Sequence, residues 1–300
     1  MGPSRARLDA RRWHFQHGPI DLVLEACGEQ AAEARACDAA WRRFGPILGE
    51  LVEELALLRR PLGGEVAASG PVARRMVAAC RPYRATFITP MAAVAGAVAD
   101  EVLAAMVGAG GLRRAYVNNG GDIALHLDRG ERFRVGLVAE AGSAGVGHWH
   151  PPALDGAFEV TAAMPVRGVA TSGWRGRSRS LGIADSVTVL AADAAAADAA
   201  ATMIANAVTV DHPGVERRPA CELDEHSDLG ALPVTVAVAP LPAPAVDAAL
   251  AAGVARAESL VAARLVWGAV LVLQRRVRVV GGLAPAAVAL KFGSGGRGSV

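Results

Sequence analysis

Ala115-Tyr116-Val117-Asn118-Asn119-Gly120-Gly121-Asp122-Ile123-Ala124-Leu125-His126-Leu127 is the stretch on which the fold turns. Two apolar, branched runs flank five polar or glycine residues. Glycine reaches positive φ without a Cβ clash, and Asn and Asp side chains bond their own backbone, so 118–122 reads as a tight hairpin connection. The same residues permit a second reading. Gly120 and Gly121 let backbone approach a ligand closely, while Asn118, Asn119 and Asp122 present polar groups, with Asp122 able to accept from a ribose hydroxyl or a ring N–H.

Working outward, strands are predicted at 17–25 after a basic leader, and at 133–139, 158–161, 166–170, 186–190 and 234–238. Apolar spacing of three and four predicts a helix over 29–60, split in two at Gly45-Pro46. Pro71 opens a short helix to residue 81, and Pro90 opens a small-residue helix to about residue 107. Alanine propensity makes 194–208 helical, and 245–273 reads as one long amphipathic helix. Helices and strands come in blocks rather than strict alternation, which predicts an α+β fold. The expected organisation is a single domain over 1–292 with a Gly/Ser tail at 293–300.

Composition narrows the class. The chain has 300 residues, 52% hydrophobic and 20% charged but only 4% aromatic, with a formal net charge of +2. That balance excludes a disordered chain and gives no electrostatic footprint for nucleic acid. Four cysteines without a C-x-x-C pair point to free thiols. The Arg-rich start shows no apolar leader, and the run 265–273 is too short to cross a bilayer. The expectation is a cytoplasmic protein with no membrane partner. Leu260, Val261, Leu265 and Trp267 on the predicted long helix point to a homodimer.

Three further features carry chemistry. Ala170-Thr171-Ser172-Gly173-Trp174 places two hydroxyls and a glycine at a strand end, either an ordinary turn or a pocket wall, with Arg175, Arg177 and Arg179 able to neutralise a pyrophosphate or simply forming a solvated basic loop. Asp198 and Thr202 lie four apart on one helix face; a carboxylate and a hydroxyl are hard oxygen ligands of the kind Mg²⁺ takes, or a solvated aspartate and a threonine bonded to its own helix. His148 and His150 flank Trp149, and His14 and His17 sit three apart, without the further ligands a zinc site requires. Cys221, Asp224, Glu225 and His226 form a polar loop, either a lid or a surface connection.

The order of these pieces resembles the ApbE superfamily of FAD-binding proteins, typified by Mg²⁺-dependent FAD:protein FMN transferases. The resemblance is carried by Val117-Asn118-Asn119-Gly120-Gly121-Asp122-Ile123, Ala170-Thr171-Ser172-Gly173, Ser186-Val187-Thr188-Val189 and Ala197-Asp198-Ala199-Ala200-Ala201-Thr202. The helix 91–100 with Gly96 is similar to the one preceding the Gly-Gly-Asp turn, and the likeness spans about residues 86–210. Leu8-Asp9-Ala10-Arg11-Arg12-Trp13-His14 and Asp228-Leu229-Gly230 look like an uncharacterised branch lacking a signal peptide.

The resemblance implies an ApbE-like, T-fold-related arrangement of antiparallel sheets flanked by helices. It implies that Asn118, Asn119, Gly120, Gly121, Asp122, Thr171, Ser172 and Gly173 contact FAD. Asp198 and Thr202 would be side-chain ligands of Mg²⁺, with a backbone carbonyl near 93–95 a third. The implied activity is on the FAD pyrophosphate, by FMN transfer to a Ser or Thr of an acceptor protein or by FAD hydrolysis. Arg179-Ser180-Leu181-Gly182-Ile183-Ala184-Asp185 stands where the family carries His-x-x-Asp-Pro, which leaves open a non-catalytic module binding FAD or another phosphorylated heterocycle.

Overall fold

The computed structural model describes residues 2–64, 66–137, 156–176 and 178–283. Nine strands form one antiparallel sheet. In spatial order they are β1 (Ser4–Arg7), β2 (Arg12–His17), β3 (Ile20–Gly28), β4 (Leu112–Asn119), β5 (Asp122–Leu127), β8 (Gly168–Ser172), β9 (Ser186–Ala191), β12 (Gly268–Leu273) and β13 (Arg276–Gly281). The hairpin β6 (Arg132–Leu137) with β7 (Gly156–Thr161) and the pair β10 (Val215–Pro219) with β11 (Pro233–Val238) stand apart from it. The helices are α1 (Gln30–Glu53), α2 (Leu55–Leu58), α3 (Pro71–Cys80), α4 (Val94–Gly108), α5 (Ala194–Ala207), α6 (Ala220–Leu223) and α7 (Ala243–Ala262). The class is α+β with antiparallel sheet, as the block order of the sequence predicts.

Strand alternation splits the apolar residues between two cores. Leu22, Leu24, Val117, Ala124, Ala170, Val187 and Leu271 face the helices. Leu125, Val169, Leu190, Val270 and Val272 face the other way, and with Phe158 and Val160 of β7 they form a second, smaller core. This parity decides which polar residues share a site.

Four expectations are corrected. The basic leader is β1 and β2, an edge hairpin whose cross-strand partner is β3. Gly45-Pro46 does not split the first helix. The buried stripe Ala32, Ala36, Cys37, Ala40, Phe44, Ile47 and Leu51 continues across Pro46. Pro46 itself faces solvent, so the carbonyl that loses its helical donor lies on the hydrated side of the helix. Arg43 also spans the position, holding Glu50 at 2.7 Å and Glu101 of α4 at 2.8 Å. The predicted helix over 245–273 stops at Ala262, and Gly268–Leu273 is instead strand β12. Its residues are buried on both faces, so they form a continuous apolar run with no strand period to read. The apolar residues credited to a dimer face pack inward, with Leu260 buried and Val261, Leu265 and Trp267 lying against the two cores.

Pro90–Gly108, a 3-10 turn followed by α4, is long and apolar enough to cross a membrane, with mean hydropathy 1.6 in its most apolar window. Here it packs between α1, α3, α5 and the sheet. Cys27, Cys37 and Cys80 are buried free thiols and Cys221 is an exposed one.

Candidate functional site

Helices α4 and α5 cross near their N-terminal ends, and the crossing is closer than side chains would allow. A Cβ on Gly96 would lie 2.2 Å from the Ala194 carbonyl oxygen. At this contact each helix caps the other. The Asp100 carboxylate of α4 accepts from the N–H groups of Ala194 (3.0 Å) and Ala195 (2.8 Å), which open α5. In return Asp198 of α5 accepts from Gly96 N–H (3.0 Å) in the first turn of α4. Carboxylates at helix N-termini satisfy donors that have no partner within the helix and meet the positive end of its dipole. Asp193 adds the local cap of α5, accepting from Ala196 N–H at 2.7 Å.

The sheet brings its own polar groups to this crossing. Asn119 and Asp122 close the β4–β5 hairpin opposite one another. Gly120 (φ +64°) and Gly121 (φ +117°) form its two-residue turn. Both asparagines are thus accounted for by the hairpin reading, but they leave it on opposite faces. Asn119 follows Val117 on the helix side, is buried, and donates to the Ala95 carbonyl (3.1 Å). Asp122 lies two residues before Ala124 on that same side, near enough for its charge to act on Asp198. Ser172, two residues beyond Ala170, shares this face.

Asn118 and Thr171 belong to the other face. Asn118 Oδ1 accepts from Gly121 N–H at 2.8 Å, holding the turn. The Thr171 hydroxyl pairs with that of Thr188 at 2.9 Å, and its N–H donates to Asp122 (3.2 Å). Alternation thereby divides the predicted contact set. Asn119, Asp122 and Asp198 gather with Ala95 and Gly96 and Ser172 lies on the same sheet face, whereas Asn118 and Thr171 lie on the opposite one. Gly173 has a steric task, since a Cβ there would meet the Asp185 carbonyl oxygen at 2.4 Å. Around Gly121 the space within 4 Å of such a Cβ is open. Thr202 lies one turn beyond Asp198, partly buried, and its hydroxyl makes no hydrogen bond among the described residues.

Burial pushes the Asp198 carboxyl well above the usual range, and the negative charge of Asp122 pushes it further. Burial also raises Asp100, to about 6, against the lowering effect of the Ala195 and Ala194 amides. Cys80 at the end of α3 is raised by burial first and by Asp198 second. The Asp100 shift sets a sign. Its folded-state pKa exceeds the ordinary 3.8, so between about pH 4 and pH 6 the folded chain holds a proton that the unfolded chain has released. The stabilisation is present below that window and is lost as pH rises through it, by at most about 3 kcal/mol. Denaturant melts at pH 4.5 and 6.5 check this, and Asp100→Asn is expected to flatten the difference.

Several residues here carried no signal in the sequence. Asp100 is a carboxylate in a mostly apolar helix, and its role is detectable only once a second helix supplies the amides. Thr89 is buried and its hydroxyl donates to Asp228, tying the 224–230 loop to the turn that starts α4. Asp185 accepts from Gln274 N–H (2.6 Å) and Trp174 Nε1 (3.3 Å) and lies 3.7 Å from Arg175 Nε. Asp185→Ala strands two donors in a buried setting and is expected to cost about 2–3 kcal/mol by chemical denaturation. His14 is taken up by Asp21 at 3.0 Å. His148, His150, Arg177 and the 293–300 tail lie outside the described residues.

The sequence model of the family described as "AbpE bacteria" matches residues 5–279. The chain belongs to that family. Its sheet and helices, not just the 86–210 segment, are therefore family property. Curated relatives include the UPF0280 protein of Methanothrix thermoacetophila, 42% identical over 142 residues, covering 47% of this chain and 54% of that one. The UPF0280 protein of Methanothermobacter thermautotrophicus is 39% identical over 171 residues, covering 54% and 60%. The chain thus spans a little over half the length of the curated relatives it matches. Among solved structures, a mutant of the flavin transferase ApbE from Vibrio cholerae aligns with TM-score 0.45 at 12% identity, over 92% of this chain and 97% of that one. The apo flavinyl transferase ApbE of Pseudomonas stutzeri aligns with TM-score 0.42 at 13% identity, over 93% and 95%.

Proposed function

We propose that this ApbE-like chain binds a flavin nucleotide and acts on the FAD pyrophosphate with Mg²⁺, either passing FMN to a Ser or Thr of an acceptor protein or hydrolysing FAD. The supporting observation is the placement of Asp198 and Asp122 on the helix side of the sheet, with Asp198 held at the start of α4 and the charge of Asp122 near enough to act on it. Two like charges in such a place favour either a proton or a cation between them. The donor set suits Mg²⁺. Asp198, Asp122, the Thr202 hydroxyl and the Ala95 carbonyl are all hard oxygens. A bound Mg²⁺ would neutralise pyrophosphate charge.

The chain's own contributions follow from its geometry. Asp198 is held at the start of α4 by the backbone amides of Gly96 and Ala95. Asn119 fixes the Ala95 carbonyl. Open space at Gly121 admits a ligand edge, and Ser172 adds a hydroxyl on the helix-side face of the sheet. The acceptor-protein partner and a cytoplasmic location are part of the same proposal.

A second reading rests on the reciprocal caps. Asp198 already has a structural task at Gly96 N–H, and no histidine stands in the 179–185 segment, as a non-catalytic binding module would have it. Incubation with FAD and Mg²⁺ separates the two. AMP release supports the enzyme, bound flavin without turnover supports the module, and no binding of FAD or FMN at micromolar concentration removes the flavin reading.

A further inference from the structure

Four tryptophans lie within the described residues, and three of them serve the cores. Trp13 and Trp41 pack on the helix-side core and Trp267 on the other. Trp174 packs against neither, yet its ring is locked in place. Its indole Nε1 donates to Asp185 at 3.3 Å and its backbone N–H to the Ala184 carbonyl at 3.0 Å. The Arg175 guanidinium lies 4.8 Å from the ring centroid, within cation–π range, and 3.7 Å from Asp185. Ordering a tryptophan and an arginine costs side-chain freedom that apolar burial ordinarily offsets. Among the described residues neither core cluster includes Trp174.

The surroundings hold this pair still. Gly173 allows the turn to close on the Asp185 carbonyl. Asp185 in turn accepts from Gln274 N–H (2.6 Å) at the tip of the β12–β13 hairpin. That tip runs through Gln274 (φ +45°) and Arg275 (φ +67°), a left-handed conformation normally given to Gly or Asn. Gln274 is braced there by Ala239 O (2.8 Å) and Leu241 N–H (2.9 Å). Backbone strain kept in place by such bonds marks a position whose geometry matters. The platform also adjoins the candidate site, since Thr171 N–H, three residues before Trp174, is bonded to Asp122.

We propose that Trp174 and Arg175 form the subsite that receives the planar ring and adjoining phosphate of the nucleotide. The indole face opposite Arg175 supplies stacking, and the guanidinium supplies charge-assisted bonds to phosphate. The ligand class is a flat phosphorylated heterocycle, and the assignment rests on the flavin-nucleotide reading above.

Purified full-length chain is titrated with FAD, FMN, riboflavin and ADP, following tryptophan fluorescence and flavin anisotropy. FAD and FMN are expected to quench the Trp174 emission. Trp174→Leu is expected to weaken both by about tenfold or more, whereas Trp174→Phe keeps a ring and stays within about threefold. Both variants lose the same bond to Asp185, so a defect confined to leucine reports stacking rather than folding. Arg175→Gln is expected to weaken FAD and FMN several-fold and leave riboflavin unchanged.

Wild-type affinity for FAD in Trp174→Leu overturns the platform and leaves the flavin reading standing. If the wild type binds ADP but no flavin, and Trp174→Leu loses ADP, the flavin reading falls and the platform stands. Binding of none of the four removes both. Should both Trp174 variants fail to fold, the Arg175→Gln arm decides, and equal loss for FMN and riboflavin rejects the subsite.

Discussion

Gly96→Ala is expected to lower the melting temperature by about 5 °C or more, corresponding to roughly 3 kcal/mol or more for a chain of this size. The added Cβ would lie 2.2 Å and 2.5 Å from the Ala194 carbonyl oxygen and carbon, and 2.8 Å from the Ala195 nitrogen. All three atoms are backbone, so no side chain can turn aside and only the separation of α4 from α5 relieves the clash. Separation stretches the bond from Gly96 N–H to Asp198 and the two from Ala194 and Ala195 to Asp100. The loss is therefore larger than a methyl group's overpacking. Gly108→Ala at the exposed far end of α4 has nothing within 4 Å and serves as the control. It is expected to be neutral or slightly stabilising. A Gly96→Ala melt within a degree or two of wild type would show that the crossing is not as close as described.

If the chain acts on FAD as proposed, Asp198→Asn is expected to reduce Mg²⁺-dependent AMP release by at least about 100-fold without destabilising the metal-free protein at pH 7. The amide retains an oxygen to accept from Gly96 N–H, so the cap survives. What it removes is a negative charge enclosed beside Asp122. Because burial and Asp122 raise the Asp198 pKa above the ordinary 3.8, the folded wild-type chain binds a proton there that the unfolded chain has lost. Its stabilisation is present at acid pH and is lost as pH rises through the folded value. The variant lacks that slope. Urea melts across pH 4 to 8 with and without Mg²⁺ measure both effects together. A variant that loses stability and activity in proportion at neutral pH would make Asp198 a structural cap and nothing more.

How much of this was legible beforehand differs by level. The hairpin at 118–122 declared itself because its turn needs two positive φ values, and Gly120 and Gly121 supply them locally. The helix starting at Pro71 and the alanine-rich helix at 194 were equally local. Where a segment is buried on both sides, as β12 is, the pattern carried no period and the strand read as helix. Pro46 misled for the opposite reason: a strong local breaker was outweighed by an uninterrupted buried stripe and by Arg43 bridging across it.

The sequence by itself determined that this chain is an α+β protein with a Gly-Gly-Asp hairpin, a Thr-Ser-Gly strand end and an Asp-x-x-x-Thr helix, because turn conformation, strand composition and helical spacing are properties of neighbours along the chain. Only the tertiary structure decided which of those groups meet. Sheet parity sends Asn119, Asp122 and Ser172 to the helix side and Asn118 and Thr171 to the other. A glycine at position 96 brings two helices close enough to cap one another through Asp100 and Asp198. Such contacts join residues about a hundred positions apart, and burial of their charges exists only once the chain has closed around them.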